Sequence, residues 1–446
     1  MARRKDKIRL GLFAHVTGNH MAAWRHPRAD RFAGTSFRHY AEVAALAERG
    51  LFDMLFLADT NALWKGDTET LSRDPKTAQF EPLTLLSALS VVTEHIGLVA
   101  TATTTYNEPY HVARKFASLD QLSGGRAGWN LVTSANEQEA LNFSRTNHVP
   151  HDQRYDRARE FAAVVKGLWE SWEDDAFLRD PESGRFFAPE KLRVLNHQGT
   201  HFAVRGPLNV ARSPQGHPLI VQAGSSEIGR DLAADTAEVV FTAQDQLPAA
   251  QAFYADLKGR LIARGRDPES LKIMPGLMPI VGRTAEEAEA KERELQELIH
   301  PSVGLQTLSF MLGGADLSGH DLDGPLPDLP NTNSGKSRMA LVIELARREK
   351  LTIRQLYQRV TGARGHFIVR GTAATIADTM EEWFERRGAD GFNIMPPTLP
   401  GDLGDFVTDV VPELQRRGLL RTAYEGRTLR ENLGLPFPQH TATLRR

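Results

Sequence analysis

Small polar side chains follow the apolar runs of this chain at five points. Hydroxyls, amides and carboxylates in such places can bind a polar ligand, although each can also cap the helix that follows it. They are His15, Asn19 and His20 after the first run, Asp59, Thr60 and Asn61 after the second, Thr103, Thr104 and Thr105 after the third, Ser134 and Asn136 after the fourth, and Ser225 and Ser226 after the fifth. Capping explains any one of them alone. If the runs are parallel strands that end at one rim, the whole set favours a polar ligand site.

The two serines stand where the fifth run gives way to a helical pattern, in AGSSEIGRDLAAD (223–235). Their hydroxyls, the free amides of a helix N-terminus and its positive dipole end could together bind a phosphate group. An N-cap without a ligand is the alternative.

A second phosphate-binding candidate is HDQRYDRARE (151–160). His151 and Tyr155 are four residues apart, so they share one helix face, and Arg154 and Arg157 are nearby. A solvated, charged helix face is the alternative interpretation.

Several familiar motifs are absent or incomplete. The histidines of HVPH (148–151) have no third ligand at a suitable spacing, so we predict no metal site. SGKS (334–337) resembles the end of a P-loop, but Pro330 stands where the first glycine is required. No G-x-G-x-x-G follows a strand, so a built-in dinucleotide site is unsupported, and the absence of cysteine excludes a thiolate nucleophile.

Composition narrows the class of partner. The chain has 446 residues and a formal net charge of -2, which gives no electrostatic reason to expect nucleic acid or an anionic membrane as a partner. No apolar segment of 18 residues occurs, so no membrane span is expected. The sequence therefore predicts a cytoplasmic protein that binds a small molecule.

The elements that must position these residues alternate between strand and helix. The strand-like runs are 8–15, 53–58, 96–102, 126–133, 218–224, 237–243, 271–282 and 389–397. Eight strand–helix steps predict an α/β fold, a (β/α)8 TIM barrel with insertions. An open, doubly wound sheet is the second choice.

We expect residues 1–446 to form a single domain, because the strand–helix alternation continues along almost the whole chain. Insertions are predicted at about 174–216 and 283–370. The stretch from about 405 to 446 has the pattern of a helix and a polar arm that could wrap a neighbouring protomer.

Long blocks of the sequence resemble one group of the bacterial-luciferase-like flavin monooxygenase superfamily, that of the nitrilotriacetate, dibenzothiophene-sulfone and long-chain-alkane monooxygenases. The blocks are HMAAWRHP (20–27), FLAD (56–59), FEPLTLLSAL (80–89), TYNEPYHVARKFASLDQLSGGRAGWNLVTS (105–134), HDQRYDRA (151–158), IVQAGSSEIGRDLAA (220–234), DLDGPLPDLP (321–330) and VVPELQRRGLLRTAYEGRTLRENLGLP (410–436). The resemblance implies a luciferase-like TIM barrel that uses reduced FMN (FMNH2), supplied by a separate NAD(P)H:flavin reductase.

The resemblance also implies which residues bind the cofactor. They are Asp59, Thr103 or Thr104, Ser134, His151, Tyr155, and Ser225 or Ser226. His151, Tyr155 and the serines would lie toward the phosphate.

Catalytic positions follow less directly from the resemblance. His20 and Gln79 match polar positions on the substrate side, and Asn136 stands where some relatives carry histidine. The loop 313–335, which contains His320, is a candidate lid over the barrel mouth.

The function predicted from the sequence is a two-component FMNH2-dependent monooxygenase that oxygenates a small organic substrate. Dioxygen is the co-substrate and, by the resemblance, reacts with the reduced flavin to give a C4a-peroxide. The alternatives are a deazaflavin (F420)-dependent dehydrogenase on the same barrel and a non-catalytic flavin-binding protein. A homodimer or homotetramer is expected, and the pattern does not identify the substrate.

Overall fold

The computed structural model describes residues 4–64, 66–329, 336–362 and 366–441. In this part of the chain the strands are β1 (Arg9–Phe13), β2 (Met54–Leu57), β3 (Gly97–Thr103), β4 (Ala127–Val132), β5 (His197–Gln198), β6 (Ala203–Val204), β7 (Leu219–Gln222), β8 (Val239–Thr242), β9 (Lys272–Val281), β10 (Phe367–Gly371) and β11 (Gly391–Ile394).

Eight of these strands close into a parallel barrel. Their order is β1-β2-β3-β4-β7-β8-β9-β11, and β11 pairs back with β1. At this seam Leu10 lies beside Phe392. The eight strands are the eight runs predicted from the sequence, and the closed sheet confirms the barrel over the open, doubly wound alternative. Burial on both faces explains why the strands are nearly continuous apolar runs in the sequence.

The helices of the described residues are α1 (Phe37–Arg49), α2 (Thr68–Leu71), α3 (Pro82–Leu89), α4 (Pro109–Leu122), α5 (Glu139–Asn142), α6 (His151–Trp169), α7 (Glu227–Thr236), α8 (Leu247–Ala263), α9 (Ala285–Glu297), α10 (Pro301–Met311), α11 (Lys336–Glu349), α12 (Ile353–Thr361), α13 (Ala373–Glu385), α14 (Gly401–Asp405), α15 (Val411–Arg416) and α16 (Leu429–Asn432), with a π-helical segment Phe406–Val410 between α14 and α15. None of the described helices is long and apolar enough to cross a membrane.

The C-terminal segment fills the barrel from the end opposite the strands' carboxyl ends. Leu429, Leu433 and Leu435 pack in the interior cluster of strand side chains. A Cβ added at Gly97, the first residue of β3, would lie 2.4 Å from Leu429 Cδ1 and 2.9 Å from the backbone oxygen of Asp53, so α16 packs against β3 where the strand has no side chain.

Two buried ion pairs fix this segment. Arg421 donates to the carboxylate of Asp53, just before β2, and Arg430 donates to that of Glu238, just before β8. These contacts lie within one chain, and the suggestion that the arm at about 405–446 could wrap a neighbouring protomer stays a prediction.

The two predicted insertions differ in structure. Residues 174–216 contain the small β5–β6 hairpin, whereas 283–370 contains α9 to α12 around a separate apolar cluster that includes Leu308, Leu312 and Tyr357. The second insertion ends in β10, which pairs with β9 over Leu277–Val281 and was not predicted. Of the predicted lid 313–335, residues 330–335 lie outside the described part of the chain.

Candidate active site

A cavity of about 400 Å³ opens where the barrel strands end. Its floor is formed by the rings of Phe13, Phe56 and Phe241, whose centroids are 5.1 to 5.7 Å apart. Its size and its apolar floor with polar walls are typical of a small-molecule site. Six of the predicted site residues line it, and they are Asp59, Thr103, Ser134, Asn136, His151 and Tyr155.

Ser134 stands at the end of β4 with a φ of +29°, a left-handed conformation that costs energy for a residue with a side chain. Its Oγ lies 2.7 Å from Thr103 Oγ1 and 2.8 Å from Glu139 Oε2. Thr103 is therefore the threonine on the cavity wall. Thr104 is fully buried, and its hydroxyl donates to the carbonyl of Val132 at 3.2 Å.

Asn136 holds the loop that follows β2. Its Nδ2 lies 3.2 Å from Thr60 Oγ1 and 3.1 Å from the carbonyl oxygen of Ala62, and its Oδ1 accepts from the amide of Gln138 at 3.1 Å. The side chain is thus engaged with the loop on one side and its own turn on the other. The structure gives Asn136 a positioning role in the wall, and its predicted catalytic role stays a prediction.

Burial raises the pKa of Asp59 to about 6, and the nearby carboxylates of Glu81 and Glu139 act in the same direction. A carboxyl group with this pKa is poised between its two protonation states near neutral pH. Such a group in a cavity is a candidate for a functional role.

We expect the Asp59→Asn variant, without ligand, to be more stable than the wild type above pH 6 and equally stable below pH 4. The folded carboxyl keeps its proton up to about pH 6, whereas the ordinary value is 3.8, so the folded state loses stability as pH rises between the two. Thermal denaturation at pH 4 and pH 8 measures the difference. Asp152→Asn, at a carboxylate that is 85% exposed, is the matched control and should show no such pH dependence.

Arg154 also lines the cavity, and the sequence had indicated only that it lies near the predicted pair. Its Nη1 donates to the carbonyl oxygens of Thr133 and Ser134 and lies 2.6 Å from His148 Nε2. His148 Nε2 also lies 3.3 Å from the carbonyl oxygen of Ser134, and its Nδ1 lies 2.7 Å from the hydroxyl of Tyr106. Burial and the charge of Arg154 lower the pKa of His148, which favours its neutral form.

The first turn of α7 lies beside the first two turns of α6. Ser226 Oγ accepts from the amide of Gly229 at 3.1 Å, so this serine is an N-cap. A Cβ added at Gly229 would lie 3.3 Å from the hydroxyl oxygen of Tyr155, which places that hydroxyl beside the helix end. Ser225 is exposed and follows Gly224, which lines the cavity. The two helix starts thus offer donors and a guanidinium to an anion at one edge of the cavity.

The two remaining predicted residues, His20 and Gln79, are not among the described residues that line the cavity. His20 is buried, and it lines a separate cleft with Met278 and Pro397. Gln79 is half-buried in the turn before α3. The structure therefore does not bring His20 and Gln79 to the cavity wall, and their catalytic roles stay predictions.

A family model described as luciferase-like monooxygenase matches residues 13–391. The chain is 55% identical over 440 residues to the N-acetyl-S-(2-succino)cysteine monooxygenase of Bacillus subtilis (strain 168), which covers 98% of this chain and 99% of that protein. It is 54% identical over 443 residues to nitrilotriacetate monooxygenase component A of Aminobacter aminovorans, which covers 98% of each.

The resemblance predicted from the sequence is confirmed. A dibenzothiophene-sulfone monooxygenase and a long-chain alkane monooxygenase are 42% and 37% identical to the chain. Among solved structures, one of a riboflavin lyase with modified FMN and riboflavin has a TM-score of 0.83 and 32% identity, and covers 97% of each chain.

Proposed function

The chain belongs to the luciferase-like monooxygenase family, and we propose that it is the oxygenase of a two-component monooxygenase that uses reduced FMN. A separate NAD(P)H-dependent flavin reductase supplies the cofactor, and the substrate is a small organic molecule. The observation that supports this most is the meeting of the α6 and α7 N-terminal turns beside a cavity with an aromatic floor.

The residues present suit FMN in two respects. His151, Arg154 and Tyr155, with the first turn of α7 at Ser225 and Ser226, offer hydrogen-bond donors and positive charge to a phosphate group. The remainder of the cavity combines aromatic side chains with polar groups, which suits a flat heteroaromatic ring.

Reduced FMN, when bound, supplies the reaction with dioxygen, for which side chains have no equivalent chemistry. The protein's contribution is to bind, to orient and to exclude water. Asp59, Thr103 and Ser134 would hold the polar edge of the ring and the sugar chain, and Asn136 keeps the loop at 60–63 in place beside them.

The two-component organisation is supported by the names of relatives. One is component A of nitrilotriacetate monooxygenase, and another, 51% identical, is one of the subunits of the pristinamycin IIA synthase of Streptomyces pristinaespiralis. Each name implies a further component. A homodimer or homotetramer remains our expectation for this chain, and light scattering on the purified protein tests it.

The function is tested with a generic flavin reductase, NAD(P)H, FMN and a substrate panel. The panel contains aminopolycarboxylates, S-substituted cysteines, sulfones, sulfides and alkanes. For each compound, the amount of substrate consumed is compared with the amount of hydrogen peroxide that forms without oxygenation of a substrate. We expect loss of one class that requires both dioxygen and reduced FMN. Failure to bind reduced FMN would refute the proposal, and substrate-dependent reduction of a deazaflavin without oxygen would favour the dehydrogenase alternative.

A further inference from the structure

A second cleft, with a volume of about 350 Å³, lies between α9 and α12 in the second insertion. It shares no described residue with the lining of the main cavity. The described side chains around it are charged or carry amides, with Leu351 as the exception. A cleft of this size can hold a small molecule, and its lining favours a polar one.

Three guanidinium groups line this cleft, and each comes from a different element. They belong to Arg293 on α9, Arg359 on α12 and Arg370 on β10. Like charges around one cleft repel each other, so the arrangement costs free energy unless an anion lies among them.

The carboxylates of the cleft offset only part of this charge. Glu292 is 7% exposed, and its carboxylate accepts from Arg370 Nη1 and, at 3.3 Å, from Gln296 Nε2. Glu289, which is exposed, is the second carboxylate of the described lining. Arg293 and Arg359 are also exposed, and neither forms an ion pair within the described parts of the chain. These two guanidinium groups can therefore bind a ligand.

The packing of α12 explains why its polar face borders the cleft. Its apolar face packs in the cluster of the insertion through Ile353, Leu356 and Tyr357. Gln355 and Arg359 are one turn apart, and both line the cleft. The amide of Gln358 donates to the carbonyl oxygen of Gln296 on α9 at 3.4 Å, which links the two helices beside the cleft.

We propose that this cleft binds a small polyanion, a molecule with two or more phosphate or carboxylate groups, through Arg293, Arg359 and Arg370. The planar guanidinium group matches both kinds of anionic group with two parallel hydrogen bonds. Because the three arginines lie on α9, α12 and β10, the bound anion would join the helices of the insertion to the sheet. The site is separate from the main cavity, so the inference does not depend on the proposed function.

The test is calorimetric titration of the whole protein with pyrophosphate and with citrate, at an ionic strength held constant with sodium chloride. We expect binding of at least one probe, and a higher midpoint of thermal unfolding in its presence. The more tightly bound probe shows whether the site prefers phosphate or carboxylate groups. Arg293→Met and Arg359→Met should each weaken binding about fivefold. Both arginines are exposed, so both variants should fold.

Two control variants separate the cleft from a general effect of charge. Arg38→Met removes the same charge from an exposed position on α1 and should bind the probe as the wild type does. Glu289→Gln removes a carboxylate from the cleft and should tighten binding. Glu286→Gln, at an exposed position in the first turn of α9 and outside the described lining, should not.

The Arg154→Met variant distinguishes this cleft from the main cavity, whose wall contains Arg154. It should bind the probe with the affinity of the wild type, and a loss in this variant would place the anion in the main cavity and overturn the inference. Absence of binding for both probes would also overturn it. So would affinities in Arg293→Met and Arg359→Met that equal the affinity of Arg38→Met.

Discussion

Replacing Arg430 with methionine is expected to destabilise the folded protein by about 3–5 kcal/mol, the usual cost of leaving a buried charge without its partner. Arg430 is 2% exposed, and its guanidinium donates to the carboxylate of Glu238 and to the carbonyls of Gln215 and Pro436. Methionine fills part of the volume but satisfies none of these acceptors. Because this contact holds α16, the C-terminal segment that fills the end of the barrel should become less firmly packed in the variant.

The loss should depend on pH. Burial alone would raise the pKa of Glu238, but the charges of Arg430 and His217 outweigh it and lower the value to about 2, against an ordinary 4.5. The pair therefore stabilises the fold above pH 4.5, and its contribution disappears as pH falls toward 2. Denaturation of wild type and variant at pH 7 and at low pH measures this difference.

Arg416→Met is the control for that experiment. Arg416 is 71% exposed and pairs with Glu413, so its removal should change stability little. A loss at Arg430 no larger than at Arg416 would contradict the assignment of Arg430 as the anchor of the C-terminal segment.

The barrel could be predicted from the sequence because its strands are buried on both faces, and burial of that kind leaves short, nearly unbroken apolar runs. β10 escaped prediction for the opposite reason. Its apolar run, Phe367 to Val369, is only three residues long, which is shorter than the four to eight residues by which a strand is recognised. The contacts of the C-terminal segment with the barrel could not be predicted, because the carboxylate partners of Arg421 and Arg430, Asp53 and Glu238, lie 368 and 192 residues away along the chain.

The residues of the candidate site also fall into those that the sequence predicts and those that it does not. The polar ends of the strands could be predicted, since each follows an apolar run directly. The sequence could not predict which of two neighbouring threonines faces the cavity. The side chain of Thr103 contacts Ser134, 31 residues away, while Thr104 donates to the carbonyl of Val132. Glu139 carries no local signal, because its contacts with Thr60 and Ser134 arise only when the loops after different strands meet. The sequence placed Arg154 only near His151 and Tyr155.

The Arg154→Met variant is expected to bind FMN roughly 10- to 150-fold more weakly, the loss that removal of a charge-assisted hydrogen bond of about 1.5–3 kcal/mol produces. Arg154 lies in the cavity wall, burial lowers the pKa of its guanidinium, and no carboxylate of the described residues pairs with it. A half-buried cation without a protein counter-ion, beside the first turn of α7, is best matched by the phosphate.

Riboflavin, which lacks the phosphate, makes this prediction specific. If Arg154 binds the phosphate, Arg154→Met should weaken FMN while leaving riboflavin affinity almost unchanged. Arg157→Met is the matched control on the same helix, because its guanidinium bonds to the carbonyls of Thr104 and Asn107 and does not line the cavity. An equal loss for both ligands would mean instead that Arg154 acts by holding the carbonyl of Ser134 and the ring of His148, so the ratio of the two affinities distinguishes ligand binding from support of the wall.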